Sequence, residues 1–88
     1  MRFVVVERFK NGDAAPVYER FAEHGRMAPA GVTYVNSWVT SDLTTCFQVM
    51  EAGDRGALDE WMANWIDLVD FEVHEVISSA DAAAKVRR

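Results

Sequence analysis

The feature that most constrains the fold is a stretch from Val32 to Glu51, which reads VTYVNSWV, TSDL, TTCFQVME. Two runs rich in β-branched and aromatic residues flank a short polar segment, and this pattern predicts a β-hairpin. Because strand side chains alternate between faces, the loop length decides which residues share a face. A three-residue loop would pair the following residues on one face: Tyr34 with Met50, Asn36 with Gln48, and Trp38 with Cys46. The other face would pair Val35 with Val49, Ser37 with Phe47, and Val39 with Thr45.

The two faces of this hairpin differ in chemistry, which gives the first candidates for a ligand-binding site. The second face is the more apolar one and suits packing beneath helices. The first face carries two amides, an indole and a thiol, from Asn36, Gln48, Trp38 and Cys46. These residues can form a pocket wall, in which the amides orient a polar group and the indole packs on a planar one. The favoured alternative is a subunit interface, and the two can coexist.

The rest of the chain predicts one β-α unit before the hairpin and one α-β unit after it. The first strand spans Phe3 to Phe9, and a helix then starts after Asp13 and ends at Gly25. The second helix starts after Asp54, and the last strand spans Phe71 to Ile77. The order βαββαβ, with right-handed crossovers, predicts a four-stranded antiparallel sheet in the spatial order 4, 1, 3, 2. Both helices are expected on one face of this α+β fold.

The second helix has an unusually bulky apolar stripe at helical spacing, formed by Leu58, Trp61, Met62 and Trp65. The helix is expected to end between residues 66 and 69. The two indoles are interpreted first as core packing, with one of them at a pocket mouth, Trp65 in particular, as the alternative. Residues 1–78 are predicted to form the domain, and residues 79–88 a tail or short helix that frays unless it docks.

The composition of the chain indicates which partners it can bind and whether it forms a dimer. The formal net charge of −5 disfavours binding to nucleic acid or anionic lipid. A single cysteine excludes an intrachain disulfide framework, and the apolar runs are too short for a membrane span, so we expect a cytoplasmic protein. Half of the residues are hydrophobic, which is rich for 88 residues. The surplus apolar surface predicts a homodimer formed through the uncovered sheet face.

A few other residues offer chemistry. His74 and Glu72 are same-face neighbours and could form a tuned base, but an exposed edge strand also explains them. Glu7 and Glu51 could form a carboxylate pair for acid–base chemistry, although we favour side chains that lie in water at the rim of the sheet or pair with Arg8 or Arg26. His74 and Glu7 are therefore weak catalytic candidates. One cysteine and two histidines that lie far apart in the sequence do not have the spacing of metal ligands, and neither a metal nor a cofactor is expected.

A set of short motifs resembles a known family. These are Glu7-Arg8-Phe9, Ser37-Trp38, Cys46-Phe47-Gln48 with Met50-Glu51, and the run from Trp61 to Glu72, WMANWIDLVDFE. Over about residues 1 to 80 they resemble DUF3303, a group of small bacterial proteins. The resemblance implies a ferredoxin-like fold of the dimeric α/β-barrel type and does not imply an activity.

Three functions stay open at this point. The leading interpretation is a protein that binds a small molecule in a pocket at the sheet face or the dimer interface, with Asn36, Trp38, Cys46, Gln48 and Trp65 as its residues. The second is a cofactor-independent oxygenase or isomerase that acts on a planar hydrophobic substrate. The third is a structural or interaction module without a ligand. Fold alone does not decide between them.

Overall fold

The computed structural model describes residues 1–87, in which four antiparallel strands form one sheet. The strands are β1 (Arg2–Phe9), β2 (Val32–Val39), β3 (Thr45–Ala52) and β4 (Val69–Val76), and the helices are α1 (Ala15–His24), α2 (Arg55–Ala63) and α3 (Ser79–Val86). The strand order is β2-β3-β1-β4. Starting from the β4 edge, this is the order 4, 1, 3, 2 that the connection rules predict. β1 and β3 are therefore the two central strands.

Local sequence explains where the first two helices begin and end. Asp13 stands just before α1 and its Oδ1 accepts a hydrogen bond from the Ala15 amide at 3.1 Å. α1 ends at Gly25, whose φ of 68° is in the left-handed region that favours glycine. Asp54 caps α2, because its Oδ1 accepts from the Ala57 amide at 2.8 Å. The predicted end of α2 was wrong: the helix stops at Ala63, and the chain turns through residues 64–68 before β4.

The core lies between the sheet and α2. The largest fully buried side chains include Phe3, Met50, Leu58 and Trp61. The predicted stripe on α2 is confirmed as core, although Trp65 belongs to the turn that follows the helix. α1, in contrast, contributes no buried residue. The sheet is thus tightly covered by α2 and only loosely covered by α1.

The hairpin has a register that changes partway along β2. Tyr34 lies opposite Met50, as a three-residue loop predicts, but Asn36 lies opposite Val49 and Trp38 opposite Phe47. Val35 is the extra residue of a β-bulge between the two registers. The predicted pairs Asn36–Gln48 and Trp38–Cys46 were therefore wrong.

A longer loop accounts for the shift at the other end of the hairpin. The Thr40 amide donates to the Thr45 carbonyl at 2.8 Å, which leaves the four residues Ser41 to Thr44 in the loop. The Asp42 carboxylate holds this loop by accepting from the Thr44 amide at 3.1 Å and from the Thr40 hydroxyl at 2.7 Å. One extra residue in the loop moves every pair in the adjacent half of the hairpin by one position.

This register assigns the hairpin residues to faces differently from the prediction. Ser37, Cys46 and Gln48 lie on the face that the helices cover. Gln48 is paired with the core residue Val5 on one side and with Ser37 on the other, and Cys46 has the same side-chain orientation two residues away. Asn36 and Trp38 lie on the open face. There Trp38 is 59% exposed and its partner Phe47 is 42% exposed.

The C-terminal segment forms the short helix α3, and its residues are not buried. The Ser78 hydroxyl caps it by accepting from the Asp81 amide at 3.0 Å, and Lys85 lies in its last turn. Arg88, the end of the predicted tail, lies outside the described residues. Within residues 1–87, every helix is too short or too polar to cross a membrane.

Candidate functional site: a cavity between the first helix and the sheet

A cavity of about 160 Å³ opens between α1 and the helix-covered face of the sheet. Glu7, Cys46 and Gln48 form its floor on the two central strands. The remaining lining residues are Val17, Tyr18, Phe21, Arg26, Ser37, Val39, Trp61 and Trp65. An apolar cavity of about 150 Å³ can hold benzene, so this one has room for a single ring.

A chain of hydrogen bonds crosses the floor of the cavity. Gln48 Nε2 donates to Glu7 Oε2 at 3.0 Å, and Arg26 Nε donates to Gln48 Oε1 at 3.0 Å. Glu7 and Gln48 are 7% and 4% exposed. Both ends of the Gln48 amide are used, so its orientation is fixed. The charge of Arg26 is thereby connected to a carboxyl group in the centre of the sheet.

Glu7 is the titratable group of this floor. Burial raises its pKa from 4.5 to about 7, although the positive charge of Arg26 acts in the opposite direction. Near neutral pH the carboxyl group is therefore present in both protonation states, which suits it to give or take a proton.

The expectation of a wet sheet rim for Glu7 was wrong, because this side chain points beneath the helices. Glu51 does not join it. That carboxylate pairs with Arg2, the residue opposite it on β1. The predicted carboxylate pair Glu7–Glu51 is therefore absent.

Cys46 lies directly across from Glu7 in the sheet and is buried. Burial is the main reason that its pKa rises from 9.0 to about 12, and the negative charge of Glu7 acts in the same direction. The thiol is protonated at neutral pH and is a poor nucleophile. Cys46 is thus a small apolar floor residue, as its position in the middle of a strand indicates.

Arg26 forms one edge of the cavity and is held from several sides. Its guanidinium carbon lies 3.6 Å from the ring centroid of Tyr34 and 5.1 Å from that of Phe21. Its backbone carbonyl accepts from the Trp61 indole at 3.0 Å and from the Trp65 indole at 3.1 Å. Sequence reasoning named Arg26 only as an ion-pair partner for Glu7 or Glu51. It did not place Arg26 at a cavity, because the path of this connector over the sheet has no local signal.

The family of this chain follows from a match over its whole length. Residues 1–88 match the family described as "Domain of unknown function (DUF3303)". The chain belongs to DUF3303. The match extends to the C-terminal tail beyond about residue 80, which the resemblance in the sequence had left outside. No curated protein and no solved structure matches the chain. Any function of this DUF3303 domain has to be argued from the cavity itself.

The predicted ligand-binding residues of the DUF3303 domain divide into two groups. Cys46, Gln48 and Trp65 line the cavity. Asn36 and Trp38 lie on the opposite, open face, and the side-chain Oδ1 of Asn36 accepts from the backbone amide of Ser37 at 2.8 Å. The four residues that the predicted register placed on one face of the hairpin therefore lie on two opposite faces of the sheet.

His74 lies far from the cavity in the fold of the DUF3303 domain. It belongs to edge strand β4, opposite Val4 on the open face, and its Nε2 lies 2.5 Å from Glu72 Oε2. The predicted pairing of His74 with Glu72 is confirmed. Its position gives His74 no access to a ligand held above Glu7. Within residues 1–87, the His, Cys, Asp and Glu side chains do not form a cluster of three that could hold a metal ion.

Proposed function

We propose that this DUF3303 domain binds a small molecule with an apolar body and one polar group in the cavity beneath α1. The observation that carries the proposal is the buried pair of Glu7 and Gln48, which forms the floor of a cavity with aromatic and aliphatic walls. Ligand sites in proteins commonly combine apolar walls with a few fixed polar groups.

The loose packing of α1 supports the same proposal. A helix that only completes the core buries its apolar stripe, but Tyr18 and Phe21 of α1 stay 48% and 40% exposed. Burying a carboxyl group beneath them costs folding free energy, and a functional role would explain why the chain keeps it there. An interaction module without a ligand would gain nothing from this arrangement, and we rank that alternative lower.

Binding can be measured with the tryptophans of the cavity. Trp38→Phe leaves Trp61 and Trp65 as the tryptophans of the chain, so its fluorescence reports the cavity walls. We expect 4-methylphenol to change this emission and to raise the melting temperature, because a ligand of the native state stabilises by RT ln(1 + [L]/Kd).

A cavity-filling variant locates the binding. Val17→Phe adds bulk to the α1 wall, and Val86→Phe makes the same change on α3, where the side chain is 83% exposed. We expect Val17→Phe to weaken 4-methylphenol binding and Val86→Phe to leave it unchanged. Equal binding by both variants would contradict a site beneath α1.

A second candidate is a cofactor-independent oxygenase or isomerase that acts on a planar substrate in the same cavity. It is favoured by Glu7 alone, whose pKa near 7 suits a general base. The matching test is exchange of an α C–H of a small cyclic ketone, such as 2-cyclohexenone, in D2O at neutral pH, followed by NMR. Catalysed exchange that is lost in Glu7→Gln supports this function, and exchange at the uncatalysed rate in wild type contradicts it.

We also propose that the domain is ferredoxin-like and forms a homodimer of the dimeric α/β-barrel type through its open face. Trp38 and Phe47 lie opposite each other on that face and are exposed, and the half-buried Val4 and Val49 continue the apolar surface across the sheet. A second copy of the same face would remove these side chains from water. The charge of −5 supports a protein that does not bind nucleic acid, and together with the single cysteine it supports a cytoplasmic one. The proposal of a bacterial source rests on the family resemblance alone.

Light scattering at micromolar concentration tests the dimer. We expect a mass of about twice the 9.9 kDa of one chain. Trp38→Lys should lower it, and Ile66→Lys, at a residue that is 63% exposed in the turn after α2, should not. A wild-type mass near 9.9 kDa would exclude this assembly.

A further inference from the structure

We infer that the ligand is a small monocarboxylic acid whose carboxylate binds Arg26 and whose apolar body fills the cavity, and that its binding adds a proton to Glu7. This inference rests on the proposed function, because it names the class of molecule that the same cavity takes. It is carried by the position of Arg26 at the cavity edge.

Arg26 differs from the other arginine and lysine residues within residues 1–78. Those residues form five ion pairs: Arg2–Glu51, Arg8–Glu72, Lys10–Asp70, Arg20–Asp67 and Arg55–Asp59. Within residues 1–87, Arg26 has no carboxylate partner within the distance of an ion pair. A half-buried cation without a counterion attracts an anion.

The donors that Arg26 leaves free suit a carboxylate. Its Nε is used by Gln48, while neither terminal nitrogen donates to a residue within 1–87. In this part of the chain every buried side-chain nitrogen and oxygen has a partner, so the two terminal nitrogens of Arg26 are accessible. They form a planar fork that matches the two oxygens of a carboxylate. Contacts with Tyr34 and Phe21 hold the fork in place before a ligand arrives.

The rest of the cavity suits one apolar body and no second charge. Trp61, Trp65, Val17 and Val39 supply apolar wall surface, and the volume of about 160 Å³ accepts a single ring. Besides Arg26, the lining residue that can carry a charge near neutral pH is Glu7, on the floor. A dicarboxylate or a phosphate ester would put further negative charge beside it.

Glu7 has to be neutral when an anion lies on Arg26. Three titratable side chains face it: Arg26 from the connector, Cys46 from β3 and Tyr18 from α1. The residues that approach from α2 and β4, Trp61 and Phe71, carry no titratable group. Burial raises the pKa values of Tyr18 and Cys46, so both stay neutral and Glu7 is the group that responds to the anion. A protonated Glu7 keeps an oxygen that accepts from Gln48, so the hydrogen bond between the two side chains is retained when Glu7 takes up a proton.

The pH dependence has a definite sign. Benzoate is ionised throughout pH 6 to 8, because carboxyl groups in water have pKa values of about 4. Glu7 passes from mainly neutral to mainly ionised across the same range. Since only the neutral form accepts the anion well, the competent fraction falls about tenfold from pH 6 to pH 8. Affinity for benzoate should fall with it.

Calorimetry with benzoate and benzyl alcohol tests the inference. We expect the benzoate Kd to rise about tenfold between pH 6 and pH 8, and the benzyl alcohol Kd to stay constant. At pH 7 the heat of benzoate binding should depend on the ionisation enthalpy of the buffer, because a proton is taken up. Glu7→Gln should bind benzoate with the same Kd at both pH values.

Variants of Arg26 test the carboxylate contact. Arg26→Met should weaken benzoate binding tenfold or more and leave benzyl alcohol binding within about threefold, since a charge-assisted pair is lost and the apolar contacts remain. Arg55→Met, on the exposed face of α2, is the matched control and should bind both like wild type. Should Arg26→Met fail to fold, Arg26→Lys keeps the charge without the fork and should lose part of the benzoate affinity.

The outcomes separate this inference from the proposed function. The inference is overturned if benzoate binds no more tightly than benzyl alcohol. It is also overturned if the benzoate Kd changes neither with pH nor in Arg26→Met. Both results leave the proposed binding of a small molecule in the cavity intact. Failure of both compounds to bind overturns the proposed function together with the inference.

Discussion

At the scale of single residues, Glu7 decides what the cavity can do. It is a carboxyl group on a central strand, covered by α1 and connected through Gln48 to Arg26. The sequence could predict that Glu7 ends the apolar run within the first strand, but not which face of the sheet its side chain lies on. The preceding valines are apolar on both faces, so alternation gives no reference for the face of Glu7. Only the pairing with Cys46 and Phe71 places it beneath the helices.

The raised pKa of Glu7 predicts a specific change of stability with pH. The pKa is about 7 in the folded chain and 4.5 in the unfolded one, so the folded state holds the proton more tightly. The stability that Glu7 contributes is full below pH 4.5 and is lost as pH rises to 7. Glu7→Gln has no such loss. Relative to wild type, it should gain about 2.5 kcal/mol in unfolding free energy between pH 5 and pH 8.

Urea denaturation of both proteins at the two pH values measures this gain. Glu51→Gln is the control, because the Arg2 hydrogen bond lowers the pKa of Glu51 below 4.5. Its contribution is lost only at more acidic pH, so this variant should keep a nearly constant difference from wild type between pH 5 and pH 8. A constant difference between wild type and Glu7→Gln would show that Glu7 titrates like a carboxyl group in water.

At the scale of elements, the hairpin shows where sequence reasoning stops. The two strands and the pairing of Tyr34 with Met50 are as predicted. Beyond that pair the register is shifted, because the loop has one more residue and Val35 forms a bulge. Neither change has a local signal. Val35 is β-branched, like the residues of a regular strand, and Thr40 to Thr44 suit loops of more than one length. Of the predicted ligand-binding residues, Cys46, Gln48 and Trp65 therefore line the cavity, and Asn36 and Trp38 do not.

The caps of α2 and α3 offer a matched pair of variants. Asp54 and Ser78 each accept a hydrogen bond from an amide in the first turn of their helix. Asp54→Ala should reduce the unfolding free energy by about 1 kcal/mol, because α2 carries the core residues Leu58 and Trp61. Ser78→Ala should leave it unchanged, because α3 buries no residue and frays independently.

Chemical denaturation of both cap variants provides the measurement. Helix content by circular dichroism should fall slightly in Ser78→Ala while the denaturation midpoint stays fixed. An equal drop in midpoint for both variants would mean that α3 is part of the cooperative unit.

At the scale of the whole molecule, the topology followed from simple rules. The order of elements, right-handed crossovers and short connections were enough to predict four antiparallel strands in the order 4, 1, 3, 2. The loose seating of α1 could not be predicted. Its apolar residues Val17, Tyr18 and Phe21 have the same spacing as those of a buried helix, and only the packing shows the cavity beneath them.

Removal of the C-terminal helix tests how far the domain extends. A chain of residues 1–78 should keep the melting temperature of the full chain to within about 2 °C, since α3 contributes no buried side chain. Differential scanning calorimetry of the two chains gives the comparison. A drop of about 5 °C or more, which corresponds to roughly 1 kcal/mol, would show that α3 docks on the domain.

The bulge at Val35 also governs how other members of the family should be compared with this chain. Even-numbered residues of β2 face the helices before the bulge, as Tyr34 does, and odd-numbered ones face them after it, as Ser37 and Val39 do. A relative that lacks this extra residue, or has it elsewhere, can align without a gap and still present the equivalent of Trp38 to the cavity. Sequence identity at aligned positions of β2 therefore does not show which relatives share a binding site. For each relative, it first has to be established which alternate residues of β2 face the helices.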